Sequence, residues 1–234
     1  MNVPRRLPDR LCLAAALALA SAFLLSGSLR QSYLSLTAAH PLAMGFAKFA
    51  LLATFGESLA QRLLTGRYLP PRFGPVPRAA AWGLLGVLIT LAFLIFSSGV
   101  PAALSRLGME GATLSGPLGT AKILTAFAVS AGMNILFAPV LMVAHKVFDL
   151  HIARYGGSLR CLLHAPEPGG LLASADWESL WRLVLFRTLI FFWIPAHTVT
   201  FLLPESLRVL FAAALGAVLG LILAWAGSRR GQAA

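Results

Sequence analysis

Six apolar runs, each near the length that a helix needs to cross a bilayer, constrain this chain more than any other feature. They occupy residues 11–27, 41–64, 79–104, 119–146, 180–204 and 206–227. Hydrocarbon offers no partner to a peptide group, so such runs persist there only as helices that close their own hydrogen bonds. The stretches between them, such as YLPPRFGPVPR and HAPEPGGLLASADWE, carry the Pro and Gly that end helices. The expected fold class is therefore all-α: a polytopic transmembrane helical bundle of about six hydrophobic helices.

Loop charge tests that count. The chain carries 19 Lys+Arg against 8 Asp+Glu, a net +11, which would suit nucleic acid if it formed one face. It is instead dealt out alternately. Arg5, Arg6 and Arg10 precede the first run, and only Arg30 follows it. Arg62, Arg67, Arg72 and Arg78 lie around the next loop, then Arg106 beside Glu110, then Lys146, Arg154 and Arg160, then Arg208, and finally Arg229 with Arg230. Short-loop Lys and Arg stay cytoplasmic, so both termini are expected on a basic, cytoplasmic side. Trp177 and Trp181 beside Arg182 read as an interfacial anchor. With 58% hydrophobic and 12% charged residues, the chain departs from soluble domains. The expected partner is a lipid bilayer, with no nucleic acid.

The first run also fits a signal peptide, with a basic flank, a short apolar stretch and small residues near Ser26 to Ser28. An uncleaved helix is the expectation; cleavage would leave five spans. The chain then divides into an extra helix or signal anchor at 1–28, one bundle domain at 29–227 and a basic tail at 228–234. Cys12 and Cys161 have no spacing that points to a disulfide framework or metal site. His151, Cys161 and His164 share a polar loop with Asp149 and Asp176 but lack ligand spacing. H-E-x-x-H, G-x-S-x-G and C-x-x-C patterns are absent, and GATLSGPLGTAK lacks the end of a phosphate-binding loop. No catalytic residue, metal or cofactor is expected.

Ionisable groups inside spans are costly and usually face a bundle interior. The second run holds Lys48, Glu57 and Gln61; the latter two share a helical face that Lys48 does not. Glu57 and Arg187 each lie about 10 Å inside the basic boundary at about 1.5 Å per residue, so they are expected to pair. The alternative has Arg187 snorkelling and Glu57 bonded to Gln61 or water. In the fourth run, Asn134 reads as interhelical glue and Pro139 as a kink, with an opening of carbonyls toward a polar lumen as the functional alternative. The fifth run closes in WIPAHTVTFLLPESLRVLF, from Trp193 to Phe211. Pro195 frees a carbonyl that His197, Thr198 and Thr200 could answer. Pro204 ends the helix, and Arg208 opens the next. Gly216 and Gly220 offer the fifth helix a small-residue seam.

From Gln31 onward these residues resemble a family of small membrane proteins. It is typified by the 22 kDa peroxisomal membrane protein and its Mpv relatives of the mitochondrial inner membrane. The matching positions are Tyr33-Leu34, Pro41, Gly56-Glu57, Ala60-Gln61, Met133-Asn134 and Phe137-Ala138-Pro139, followed by Trp193, His197, Thr200-Phe201, Pro204, Arg208 and Trp225. Glu57 and Met133 stand where the family has Asp, His197 and Thr200 where it has Gln and Asn, and Pro195 is displaced by one. The family's second-helix motif is not recognisable in AAAWGLLGVLITLAFLIF.

The resemblance implies a water-filled, poorly selective channel for small metabolites. The expected lining is Glu57, Gln61, Asn134, His197, Thr198 and Thr200, with charge bias from Lys48, Lys122 and Arg187 and a leaning toward small anions. A bacterial inner membrane is the expected location, with mitochondrial or peroxisomal membranes as the alternative and a homo-oligomer as an admissible assembly. A non-conducting structural or assembly protein is the competing expectation, in which the same polar groups only join helices.

Overall fold

The computed structural model describes residues 6–230, and every regular element among them is helical. Expectations resting on Arg5 and on residues 231–234 lie outside the described residues. Helix α1 (Arg6–Leu25) turns at Ser26, whose hydroxyl accepts from the Leu29 amide, into α2 (Gly27–Ala39). Helix α3 (Pro41–Thr65) begins at a proline, where a missing N–H does no harm, and ends at the left-handed Gly66. Then come α4 (Pro75–Arg106), α5 (Thr120–Leu136) and α6 (Ala138–Arg154). A loop with a 3₁₀ turn at Leu159–Leu163 and α7 (Pro168–Ala173) leads to α8 (Trp177–Ser179). A segment wound wider than an α-helix, Leu180–Trp193, continues into α9 (Ile194–Leu202), and α10 (Glu205–Arg230) closes the described chain.

Among the described residues, five helices are long and apolar enough to cross a membrane: Leu7–Leu25, Pro41–Thr65, Pro75–Arg106, Leu180–Leu202 and Glu205–Ile222. The α5–α6 pair makes a sixth, bent by 46°. Pro139 has no N–H for the carbonyl one turn earlier, and the chain breaks at Phe137 beside it, as the kink reading expected. The stretch after the first run is not a plain loop, because α2 fills it.

Lipid tails are as apolar as leucine, so helices here associate through close packing and cross-helix bonds. Around Phe49, Leu85, Ile89, Phe93, Val129 and Phe201 the core joins α3, α4, α5, α9 and α10. Glycine lets backbones meet at two of these helix contacts. A Cβ on Gly56 would lie 2.5 Å from Cα of Ala217, and one on Gly86 2.6 Å from the Gly45 carbonyl oxygen. The α10 seam therefore serves α3, not the fifth span as expected. Ala217, between Gly216 and Gly220, fits the notch that Gly56 leaves.

The bundle has two chemically different ends. At one, Asp9 of α1 accepts from Arg62 at 2.6 and 2.7 Å and from the Tyr68 hydroxyl at 2.9 Å. At the other, the Tyr33 hydroxyl donates to the Ser206 carbonyl at 3.3 Å, and α2 lies against the start of α3. None of the apolar window of α1 is buried, so its tie to the bundle is mainly that first-turn carboxylate.

Candidate functional site

At the α2 end, a cleft of about 590 Å³ opens among α2, α3, α4 and α10. Its walls include Lys48 and Arg208, 6% and 8% exposed. The Lys48 ammonium donates to the Thr37 hydroxyl at 3.2 Å and sits 4.8 Å from the centre of the Tyr33 ring. Arg208 donates through Nε to the Leu203 carbonyl at 3.1 Å, with its guanidinium 5.8 Å from the Phe201 ring. Among the described residues on the cleft wall, Glu205 is the single carboxylate, and it is exposed. A smaller hollow of about 300 Å³ lies among the exposed side chains of Trp181, Arg182, Phe186 and Arg187, away from both this cleft and the core.

The opposite end holds a charge cluster. Arg78, in the first turn of α4, places Nη1 2.6 Å from Glu57 Oε2 of α3 and 2.8 Å from Asp149 Oδ1 of α6. The Trp82 indole donates to Glu57 Oε1 at 2.8 Å. His145 completes the ring, 3.4 Å from Glu57 Oε1 and 3.6 Å from Asp149 Oδ2, with its imidazole 4.4 Å from the Trp82 ring. Side-chain exposures of 20–31% put the cluster at the edge of the bundle interior. Glu57, His145 and Asp149 present ligand atoms within 4.8 Å of one another, but Arg78 already binds both carboxylates, so it occupies the place of a cation. Chemically, the cluster locks α3, α4 and α6 together.

The expected Glu57–Arg187 pair does not form. Equal depth did not bring them together, because Arg78 stands 21 residues after Glu57, directly across the α3–α4 hairpin, while Arg187 is exposed. Gln61 is half-buried outside the cluster. Asn134 is 2% exposed, yet its amide donates to Ser130 O, at 2.8 Å, on its own helix. The cross-helix bond in that region is Ser130 Oγ to the Ile194 carbonyl, at 2.7 Å.

In the Trp193–Phe211 stretch, the threonines do not answer the carbonyl freed by Pro195. Thr198 bonds Ile194 O at 2.8 Å and Thr200 bonds Ala196 O at 2.9 Å. His197, 7% exposed, stacks on Trp193 at 5.1 Å and meets Phe93 edge-on at 5.6 Å. Phe93 itself lines the cleft, so His197 lies behind that wall and not on it. Pro204 separates α9 from α10, as expected. Lys122 donates to the Gly116 carbonyl at 2.8 Å, outside the cleft.

Of the residues expected in the polar core of a path, the cleft gathers Lys48 and Arg208. Arg78, Trp82, His145 and Asp149 were not anticipated. Their signals were present: His145 and Asp149 are four apart on one helix, and Arg78 lies in the first turn after a short loop from the helix bearing Glu57. The loop group around His151 does not assemble, since His151 Nε2 contacts the Cys161 carbonyl at 2.9 Å and His164 Nδ1 the Arg160 carbonyl at 2.9 Å.

No family model, curated protein or solved structure matches the chain.

Proposed function

We propose that this integral membrane protein gives small solutes a poorly selective, passive path entered through the Lys48–Arg208 cleft. The observation that carries the reading is that cleft: an opening of about 590 Å³ with a largely apolar wall and two cations, Lys48 and Arg208, beside the close-packed core. Its volume falls in the usual range for small-molecule sites, roughly 300–1,000 Å³. Beyond Phe93 and Phe201 the interior is packed, and the far end is held by the Arg78 cluster. In this reading the described arrangement is the closed state, and opening the path requires Arg78 to release Glu57 or Asp149. The likeness to the 22 kDa peroxisomal and Mpv proteins supports the same reading. In this reading the protein makes and breaks no covalent bond. The cluster end, with the Arg67 and Arg72 loop, faces the cytoplasm, and a bacterial inner membrane is the setting.

The test is solute release from liposomes containing the purified protein. Release of small dyes or metabolites above that from empty liposomes, raised further by Arg78→Gln, is the expected result. Release equal to that of empty liposomes for both proteins rejects the path. One observation favours the second reading, a non-conducting scaffold: the Arg78 cluster and the Ser130–Ile194 bond join separate helices.

A further inference from the structure

We infer that Lys48 and Arg208 form an oxyanion site, taking a small organic acid or a phosphate ester whose apolar part rests on Leu34, Leu94 and Val209. The inference deepens the path reading, whose cleft it shares.

Charged groups buried in a membrane bundle are costly unless they are partnered. The chain provides built-in partners elsewhere: Arg62 has Asp9, and Arg78 has Glu57 and Asp149. Lys48 and Arg208 are more buried than either, yet neither forms an ion pair among the described residues. An ammonium has three donors and a guanidinium five. Thr37 takes one donor from Lys48, and Leu203 takes Nε–H of Arg208.

The remaining donors are not sealed into the protein. Among the described residues the one fully buried side-chain polar atom without a partner is Thr54 Oγ1, so the unpartnered terminal nitrogens of Arg208 reach open space, and Lys48, with one donor on Thr37, lines the same opening. That space is the cleft, which both residues line. Two buried cations against one exposed carboxylate, Glu205, leave the cleft net positive. Its apolar wall selects against a bare inorganic ion and favours an acid with a short hydrocarbon part. Carboxylate and phosphate oxygens share this recognition chemistry, and a phospholipid headgroup reaching between α2 and α10 would offer it too.

The test is calorimetric titration of the full-length protein in detergent with sodium butyrate, methyl phosphate and dioctanoyl phosphatidylglycerol, with butyramide as the neutral control. At least one anionic probe should bind saturably and butyramide should not. Lys48→Met and Arg208→Gln should each weaken binding by about tenfold or more, as loss of a charged hydrogen bond does, while Lys48→Arg retains it. Binding of the lipid alone identifies a headgroup as the source; binding of butyrate or methyl phosphate identifies a soluble solute. The inference falls if no anionic probe binds, if butyramide binds equally, or if folded Lys48→Met binds like the native protein. Should Arg208→Gln fail to fold, the Lys48→Met and Lys48→Arg pair decides alone. Binding without liposome flux leaves the site standing and removes the path; flux without binding does the reverse.

Discussion

Arg78 bridges two carboxylates, so its removal strands Glu57 and Asp149 together. Breaking one partner of such a pair costs about 3 kcal/mol when the pair is well buried, and about 1–3 kcal/mol is expected for Arg78→Gln at this partly exposed edge. A double-mutant cycle read by reversible unfolding in mixed micelles should give coupling of about 1 kcal/mol or more between Glu57 and Arg78 and none between Glu57 and Arg187. Coupling to Arg187 instead would overturn the assignment. At Cys161, 3% exposed, burial pushes the thiol above its ordinary range, so less thiolate is present at neutral pH. Maleimide should therefore label it slowly in the folded protein and quickly after denaturation. The importance of Glu57 and Lys48 was legible from charges standing in apolar runs. Their partners were not, because depth follows from counting residues along a helix, whereas the direction a residue faces depends on how the helices pack.

Between helices, the Gly56–Ala217 contact is a close constraint, because both the backbone and the side chain of Ala217 fill the space that a Cβ would need. Gly56→Leu must push α10 from α3, and overpacking of this kind typically costs about 1–3 kcal/mol. Gly216, with no neighbour within 4 Å of an added Cβ, should accept Ala with little change in melting temperature. Ser130→Ala removes the bond to the Ile194 carbonyl and should cost about 0.6 kcal/mol, the typical worth of a side-chain bond between membrane helices. Unfolding midpoints of the three variants check this order. The apolar spans and roughly where they lie were readable because run length and Pro/Gly punctuation act locally, whereas α2, outside any span-length run, was not. The seam's partner was not: small residues on α10 announce a close approach without saying which helix approaches, and Asn134 turned out to bond its own helix while Ser130 made the crossing.

Across the bundle, alternating loop charge and the two chemically distinct ends make one prediction. In a protein with Cys12 and Cys161 both replaced by Ser, single cysteines at Leu69 and Leu118, 59% and 70% exposed, should react with an impermeant maleimide from opposite faces of the membrane, Leu69 from the cytoplasmic one. Labelling of both from one face would refute the alternating arrangement. The tie between α1 and the rest bears on biogenesis as well. Asp9 meets Arg62 53 residues later in the chain, so its carboxylate enters the insertion machinery well before its partner has been made. The contacts that hold this end of α1 therefore come from residues made later, Arg62 on α3 and Tyr68 in the following turn. A cut behind Ser28 would leave both of those residues without their acceptor, so the first helix acts as a clasp on the end of α3.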